Sequence, residues 1–335
     1  MKLRVLAIRN DKLGDFMLIW PALMLLKKSL PDCEVTVLVP SYTQSIAEAC
    51  PWIDNVMIDP LDIASINRKN FDAVVTFFST GRIGLQVWKG RIPLRIAPAT
   101  KIAQIFYNHR IVQRRSRSEK PEYVYNMELI EAFLKIKNVD PATIEPPYWP
   151  IIDDRAEERV KLENELKLSN SRKWFFVHSG SGGSANNLSL EQYAKLVNSI
   201  DAEFSVSEKP QWIFTAGPGE ESQARKLNDM VSDVDSVVYV SKKGLSDFSK
   251  SLVSADLFIA GSTGPLHVAG ALDIKTVGFF PAKISSTSLR WRPCNSNRNT
   301  ISFSPASSEM SMESIDVEEA AKNIFKWLSG GACEN

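Results

Sequence analysis

Cysteine is scarce in this 335-residue chain: Cys33, Cys50, Cys294 and Cys333 stand far apart, with no metal-ligand spacing. That argues against a disulfide framework or a cysteine metal site and favours reduced thiols in the cytoplasm. A dominant charge is missing too. Forty basic and 39 acidic residues leave a formal net charge of +1, which gives no bulk attraction to nucleic acid or membrane. Long apolar runs are lacking. The longest, Phe16 to Leu26, contains Pro21 and falls short of the about 20 residues a membrane span needs. It follows a strand and the acidic Asp15, so it does not read as a signal peptide. There is no repeat of solenoid period and no low-complexity tract. Gly180-Ser181-Gly182-Gly183 has neither the spacing of a dinucleotide fingerprint nor the Lys-Ser/Thr of a P-loop. The acidic pair Asp233 and Asp235 precedes a strand and reads as a solvated turn. No other carboxylate or histidine cluster has metal-ligand spacing, so no metal is expected.

What is present is alternation of strand and helix. In the first half, strands are predicted at Leu3 to Ile8, Glu34 to Val39, Val56 to Ile58 and Ala73 to Phe78. Helices are predicted at Gly14 to Ser29, Thr43 to Cys50 and Val124 to Ile136. Residues 139–153 carry Pro141, Pro146, Pro147 and Pro150, a composition that suits a linker. The alternation then resumes. Strands are predicted at Trp174–Val177, Trp212–Thr215, Ser236–Val240, Leu257–Ala260 and Thr276–Phe280, and a final helix at Val317 to Leu328. This pattern predicts an α/β protein of two doubly wound parallel sheets, residues 1–153 and 154–335, facing a cleft. The last helix could return to the first domain.

Three loops put polar residues at strand ends. The most informative spans 255–272. Leu257 to Ala260 is a buried strand, Gly261-Ser262-Thr263-Gly264 a tight turn, and Pro265 suits the first helical position. Unpaired N–H groups and the positive helix end would make this an anion site for a phosphorylated small molecule, with His267 in the first turn. An ordinary capped turn is the alternative. The second loop is His178 to Ser184, so two of the three histidines fall at such ends. Glu220, after Gly217-Pro218-Gly219, is either a first-turn acid favoured by the dipole or an acceptor for sugar hydroxyls. The third loop is Arg9 to Asp15. Asp15 either caps the following helix or serves as a general base. Arg110, Arg114, Arg115 and Arg117 form a basic stretch, either a solvated loop or a docking strip for an anionic ligand.

In order along the chain, these segments resemble glycosyltransferase family 9, the lipopolysaccharide heptosyltransferases. The matching motifs are Leu13-Gly14-Asp15, Pro21-Ala22-Leu23, Lys27-Lys28, His178-Ser179-Gly180-Ser181, Gly217 to Glu220 and Thr263 to Ala269. The resemblance implies a GT-B fold with acceptor held by the first domain and donor by the second. It implies inverting, metal-independent transfer of a heptose from an ADP-sugar to a lipopolysaccharide core acceptor. Asp15 then resembles the base. The resemblance implies donor contacts at Ser181, Asn186, Glu220, Ser262, Thr263, Gly264 and His267, and acceptor contacts at Lys12, Arg110, Arg114, Arg115 and Arg117. Two positions depart from the family: Asn186-Asn187-Leu188 replaces a Lys-Arg/His-Trp stretch, and Ser262 replaces an Asp. Arg290 and Arg292 are candidates to restore the missing positive charge. The expected partners are a nucleotide sugar and an anionic glycolipid, with no cofactor, no metal and no nucleic acid. The expected state is a monomer in the cytoplasm, with peripheral contact at the inner membrane surface. A different nucleotide sugar for another surface glycan, or a non-catalytic binding relative, fits the same residues.

Overall fold

The computed structural model describes residues 2–151, 154–180, 186–231, 233–307 and 310–330. The chain forms two compact units, Met1–Trp149 and Pro150–Asn335. The first contains β1 (Arg4–Ile8), α1 (Leu13–Met17), α2 (Trp20–Ser29), β2 (Glu34–Val39), α3 (Gln44–Glu48), β3 (Asn55–Ile58) and α4 (Ile63–Lys69). It continues through β4 (Ala73–Thr76), α5 (Gly81–Lys89), β5 (Leu94–Pro98), β6 (His109–Ile111) and α6 (Glu122–Ile136). The strand order is β3-β2-β1-β4-β5-β6, all parallel. Helix-covered strands of this kind are apolar on both faces: Val5 to Ile8 are wholly buried.

The predicted helix over residues 14–29 is two helices. Pro21 is the cause, since it lacks an N–H and its ring would collide with the carbonyl four residues earlier. It sits instead in the first turn of α2. The Leu18 carbonyl at the break accepts from the buried Asn126 Nδ2 of α6 at 3.0 Å. The helix, strands and short turns of residues 81–120 were not legible in the sequence; there Thr80 caps α5 by accepting from the Ile83 N–H. Much of the proline-rich stretch is packed structure, not a free linker. Trp149 is buried against Trp20, ring centroids 5.2 Å apart. Trp52 Nε1 donates to the Tyr148 carbonyl at 2.7 Å.

The second unit contains α7 (Arg155–Leu166), β7 (Trp174–His178), α8 (Leu190–Glu203), β8 (Gln211–Ala216), α9 (Glu221–Met230), β9 (Ser236–Val240) and α10 (Leu245–Ser251). Then follow β10 (Leu257–Gly261), α11 (Gly264–Ala271), β11 (Thr276–Phe279), α12 (Ser288–Trp291), β12 (Thr300–Phe303) and α13 (Val317–Leu328). Its parallel sheet has the order β12-β11-β10-β7-β8-β9. Val317, Ala320, Ala321 and Ile324 on the apolar face of α13 lie in the second unit's core, against α8. The strands β1 in the first unit and β7, β8 and β10 in the second deliver the motif loops to the carboxyl edges of their sheets. Ligands of doubly wound sheets bind at that edge.

Candidate functional site

In the second unit, β10 ends at Gly261, the chain bends at Ser262, and Thr263, with extended dihedrals, is the N-cap of α11. Thr263 makes no side-chain cap bond. Its Oγ1 and the Nδ1 of His267, one turn on, are both buried and have no hydrogen-bond partner among the described residues. Burial also pushes the His267 pKa down to about 4, so the ring is neutral at neutral pH. Two unsatisfied polar atoms in the first turn of one helix are unusual, because buried polar groups are nearly always paired. With the free N–H groups of the helix start they form a polar cradle suited to an anion. Gly264 opens the helix. Ser262 donates its N–H to the Phe279 carbonyl at 3.1 Å and so belongs to the sheet edge.

Two neighbouring loops are locked to this one. Asn187 donates from Nδ2 to the Ser179 carbonyl at 2.9 Å, and its Oδ1 accepts from the Tyr193 hydroxyl at 2.7 Å. A Cβ on Gly261 would collide with that Oδ1, so the approach of Asn187 to β10 requires glycine there. Glu220 accepts from the Gly217 N–H at 3.1 Å, and a side chain on Gly180 would strike its carboxylate. His178 joins the same group. Its Nδ1 lies 3.0 Å from Thr215 Oγ1 and its Nε2 lies 3.5 Å from Glu220 Oε2. Burial lowers the His178 pKa, while Glu220 pulls it the other way. The structure therefore brings His178, Glu220, Asn187 and the Gly261–Thr263 turn to one sheet edge. Asn186 is exposed beside them, and Ser181 lies outside the described residues. Asn187 escaped the sequence analysis because its role depends on contacts with β7, α8 and β10. Arg290 is buried in α12 with its guanidinium over the Trp291 ring, and Arg292 donates to Asn297 Oδ1 at 2.6 Å.

In the first unit, Asp15 lies in the first turn of α1 but does not cap it: the N-cap is the exposed Lys12. The Asp15 carboxylate is bound to Arg9, whose buried guanidinium also contacts Asp11 at 2.8 Å and Glu122 at 3.4 Å. Burial opposes the Arg9 charge, and Asp15 and Asp11 more than offset it. Burial raises the Asp11 pKa to about 6 against the opposing pull of Arg9. Glu122 also receives Arg115, at 2.6 Å. Arg115 is thus turned inward, onto Gln113, Glu122 and Tyr125. The basic stretch is therefore not one uniform solvated strip. Arg110, Arg114 and Arg117 remain exposed, with Arg117 3.6 Å from Glu119 and Arg110 Nε donating to the Tyr107 carbonyl. Among the described residues, no group of three or more His, Cys, Asp or Glu is placed to hold a metal ion.

Residues 68–320 match the sequence model of glycosyltransferase family 9 (heptosyltransferase). A Haemophilus influenzae protein, provisionally named a glycosyltransferase, is 47% identical over 97% of this chain and 96% of its own. Two Escherichia coli structures share the fold. ADP-heptose lipopolysaccharide heptosyltransferase II has a TM-score of 0.75 at 14% identity, covering 98% of this chain and 99% of that one. Heptosyltransferase WaaC with ADP has a TM-score of 0.74 at 15% identity, covering 97% and 100%. The two sheets are accordingly those of a GT-B fold, and the chain belongs to glycosyltransferase family 9.

Proposed function

We propose that the protein transfers a heptose from ADP-heptose to a lipopolysaccharide core acceptor, with inversion and without a metal ion. The observation that carries the donor half is the pair of unpartnered buried atoms, Thr263 Oγ1 and His267 Nδ1, at the start of α11. A donor diphosphate would satisfy them and the helix N–H groups together. Support for adenosine as the nucleoside is by analogy, since one fold neighbour is a heptosyltransferase with ADP. Lys12 and the exposed arginines at 110, 114 and 117 supply cations for an anionic acceptor.

In the transfer, the acceptor oxygen forms a bond to the anomeric carbon from the face opposite the diphosphate. The bond from that carbon to the phosphate oxygen breaks, and ADP leaves with the electron pair. The acceptor proton passes to the Asp15 carboxylate, which Arg9 orients. Charge grows on the leaving diphosphate as the bond breaks. N–H donors already fixed at a helix start stabilise it without reorganising.

Calorimetry with ADP, UDP and GDP and their sugars tests the donor assignment. Preference for ADP and ADP-heptose, weakened by Thr263→Val, is expected. The uncharged Asn186 and Ser262 favour one alternative, a different nucleotide sugar. A clear preference for UDP or GDP would select it and reject the heptose donor.

A further inference from the structure

The chain is electrically balanced overall, yet between Asp72 and Glu119 it carries nine lysines and arginines and no acidic residue. The same segment holds an unusual exposure of apolar side chains. Trp88 is 52% exposed, Ile102 83%, Ile105 59% and Val112 82%. These residues are neighbours. The turn at Ile102–Phe106 packs along α5, with Phe106 against Gly84 and its ring 6.3 Å from that of Trp88. Leu85 and Trp88 are three apart on α5, and Ile102 and Ile105 three apart on the 3-10 turn, so each pair shares a face. Val112 follows the edge strand β6, beside the loop that leaves β5, where Ala99 donates to the Ile111 carbonyl at 2.7 Å. Lys89, Arg91, Lys101, Arg110 and Arg114 lie along this strip, all exposed and none ion-paired among the described residues.

We infer that this strip is a docking surface for an anionic lipid bilayer. Exposed aromatic and branched apolar side chains in a field of unpaired cations have the composition of an interfacial membrane contact. The apolar groups enter the headgroup boundary while lysine and arginine meet anionic headgroups. A protein partner of ordinary polarity would not require a stretch free of acids, whereas like charge opposite an anionic surface is penalised. The strip also reaches the proposed acceptor end of the sheet. The Phe78 ring lies 5.7 Å from the Arg9 guanidinium and 5.7 Å from the Lys101 ammonium, so the edge of the strip is close to the group holding Asp15. A surface of this kind would present a lipid-anchored acceptor to that edge. This deepens the proposed function on the acceptor side and is independent of the donor.

The test is sedimentation of the full chain with vesicles of phosphatidylethanolamine and phosphatidylglycerol, and with phosphatidylcholine alone, at low and high salt. The wild type should bind the phosphatidylglycerol vesicles, bind phosphatidylcholine weakly, and release as salt rises. Ile102→Ser/Ile105→Ser and Lys89→Glu/Arg91→Glu should each lower partitioning roughly tenfold or more, with melting and ADP binding unchanged. Absence of phosphatidylglycerol-dependent binding at low salt would overturn the inference. So would equal binding by the apolar variant. A dimer lost in the isoleucine variant, with vesicle binding intact, would assign the apolar strip to self-association instead. ADP binding, read in the same samples, separates failure of this inference from failure of the donor assignment.

Discussion

The guanidinium of Arg9, buried at the end of β1, holds the carboxylate of Asp15 in the first turn of α1. Asp11 and Glu122 share the same cation, and Glu122 passes the contact on to Arg115. The loop after β1 is therefore fixed by charge as well as by packing, and Asp15 points where a buried arginine directs it.

Asp11 gives this cluster a pH signature. Its pKa is raised from 3.8 to about 6, with burial the largest cause. A carboxyl whose folded value lies above its unfolded value stabilises the fold below the unfolded pKa. That contribution is lost as pH rises through the folded pKa. Asp11→Asn keeps an oxygen for Arg9 and cannot ionise. It should be more stable than the wild type at neutral pH by about 1–3 kcal/mol. The gap should close toward pH 4. Denaturant melts from pH 4 to pH 7 check this, and a gap independent of pH would contradict it.

The unpartnered atoms at α11 separate stability from binding. Removing a buried hydroxyl that has no partner leaves nothing unsatisfied. Thr263→Val should therefore melt within about 0.5 kcal/mol of the wild type, or above it. Its ADP affinity should fall by a factor of about 10, the equivalent of one lost hydrogen bond to a charged ligand. In the same experiments, NMR of the free protein should find the His267 ring neutral at neutral pH and titrating near 4. Loss of melting temperature with unchanged ADP affinity would make Thr263 a structural residue.

The basic stretch should divide by burial. Arg114→Ala/Arg117→Ala should raise the acceptor KM and leave kcat nearly unchanged, the pattern of lost uniform binding. The effect should shrink as salt rises. Arg115→Ala should instead lower stability, by about 3–5 kcal/mol if Glu122 is left wholly uncompensated and by less because Arg9 remains beside it. Steady-state kinetics and melting curves on the two variants distinguish these roles.

Gly261 tests the loop lock. Its added Cβ would meet Asn187 Oδ1, an atom held by Tyr193 and by the Leu188 N–H, so it cannot move freely. Gly261→Ala should cost about 1–3 kcal/mol, the usual penalty of overpacking. Gly81→Ala is the control, since nothing lies within 4 Å of its Cβ position and it opens a helix. It should be neutral or stabilising. Equal effects at the two sites would mean that Asn187 does not brace the turn.

Five of the six strands of the second sheet were legible because each is a short apolar run set off by polar turns, whereas the edge strand β12, Thr300–Phe303, alternates polar and apolar residues and was missed. Ser236–Val240 and Val317–Leu328 appear with the predicted bounds. The α11 site was legible because Gly, Ser, Thr and Pro each have a local conformational reason to stand at a strand-to-helix turn. Residues 81–120 were opaque: α5 is nine residues long and β6 only three, too short for periodicity to register. The partners of Asp15 and Gly261 were hidden for a different reason. Glu122 is 113 positions from Arg9, and Asn187 reaches Gly261 only through tertiary packing. An acid placed before a helix suggested a cap for Asp15, and the buried Arg9 overrides that local preference.

Single-turnover transfer by Asp15→Asn tests the central claim most directly. The substitution keeps the size of the side chain and an oxygen for Arg9, and removes the negative charge together with the capacity to take a proton. ADP binding should match the wild type, and melting should fall only modestly because Asp11 and Glu122 still face Arg9. The rate of transfer from ADP-heptose to the acceptor should fall by about 10²–10⁴-fold, the usual contribution of a general base. Near-normal turnover would contradict the account and leave Asp15 as a structural partner of Arg9.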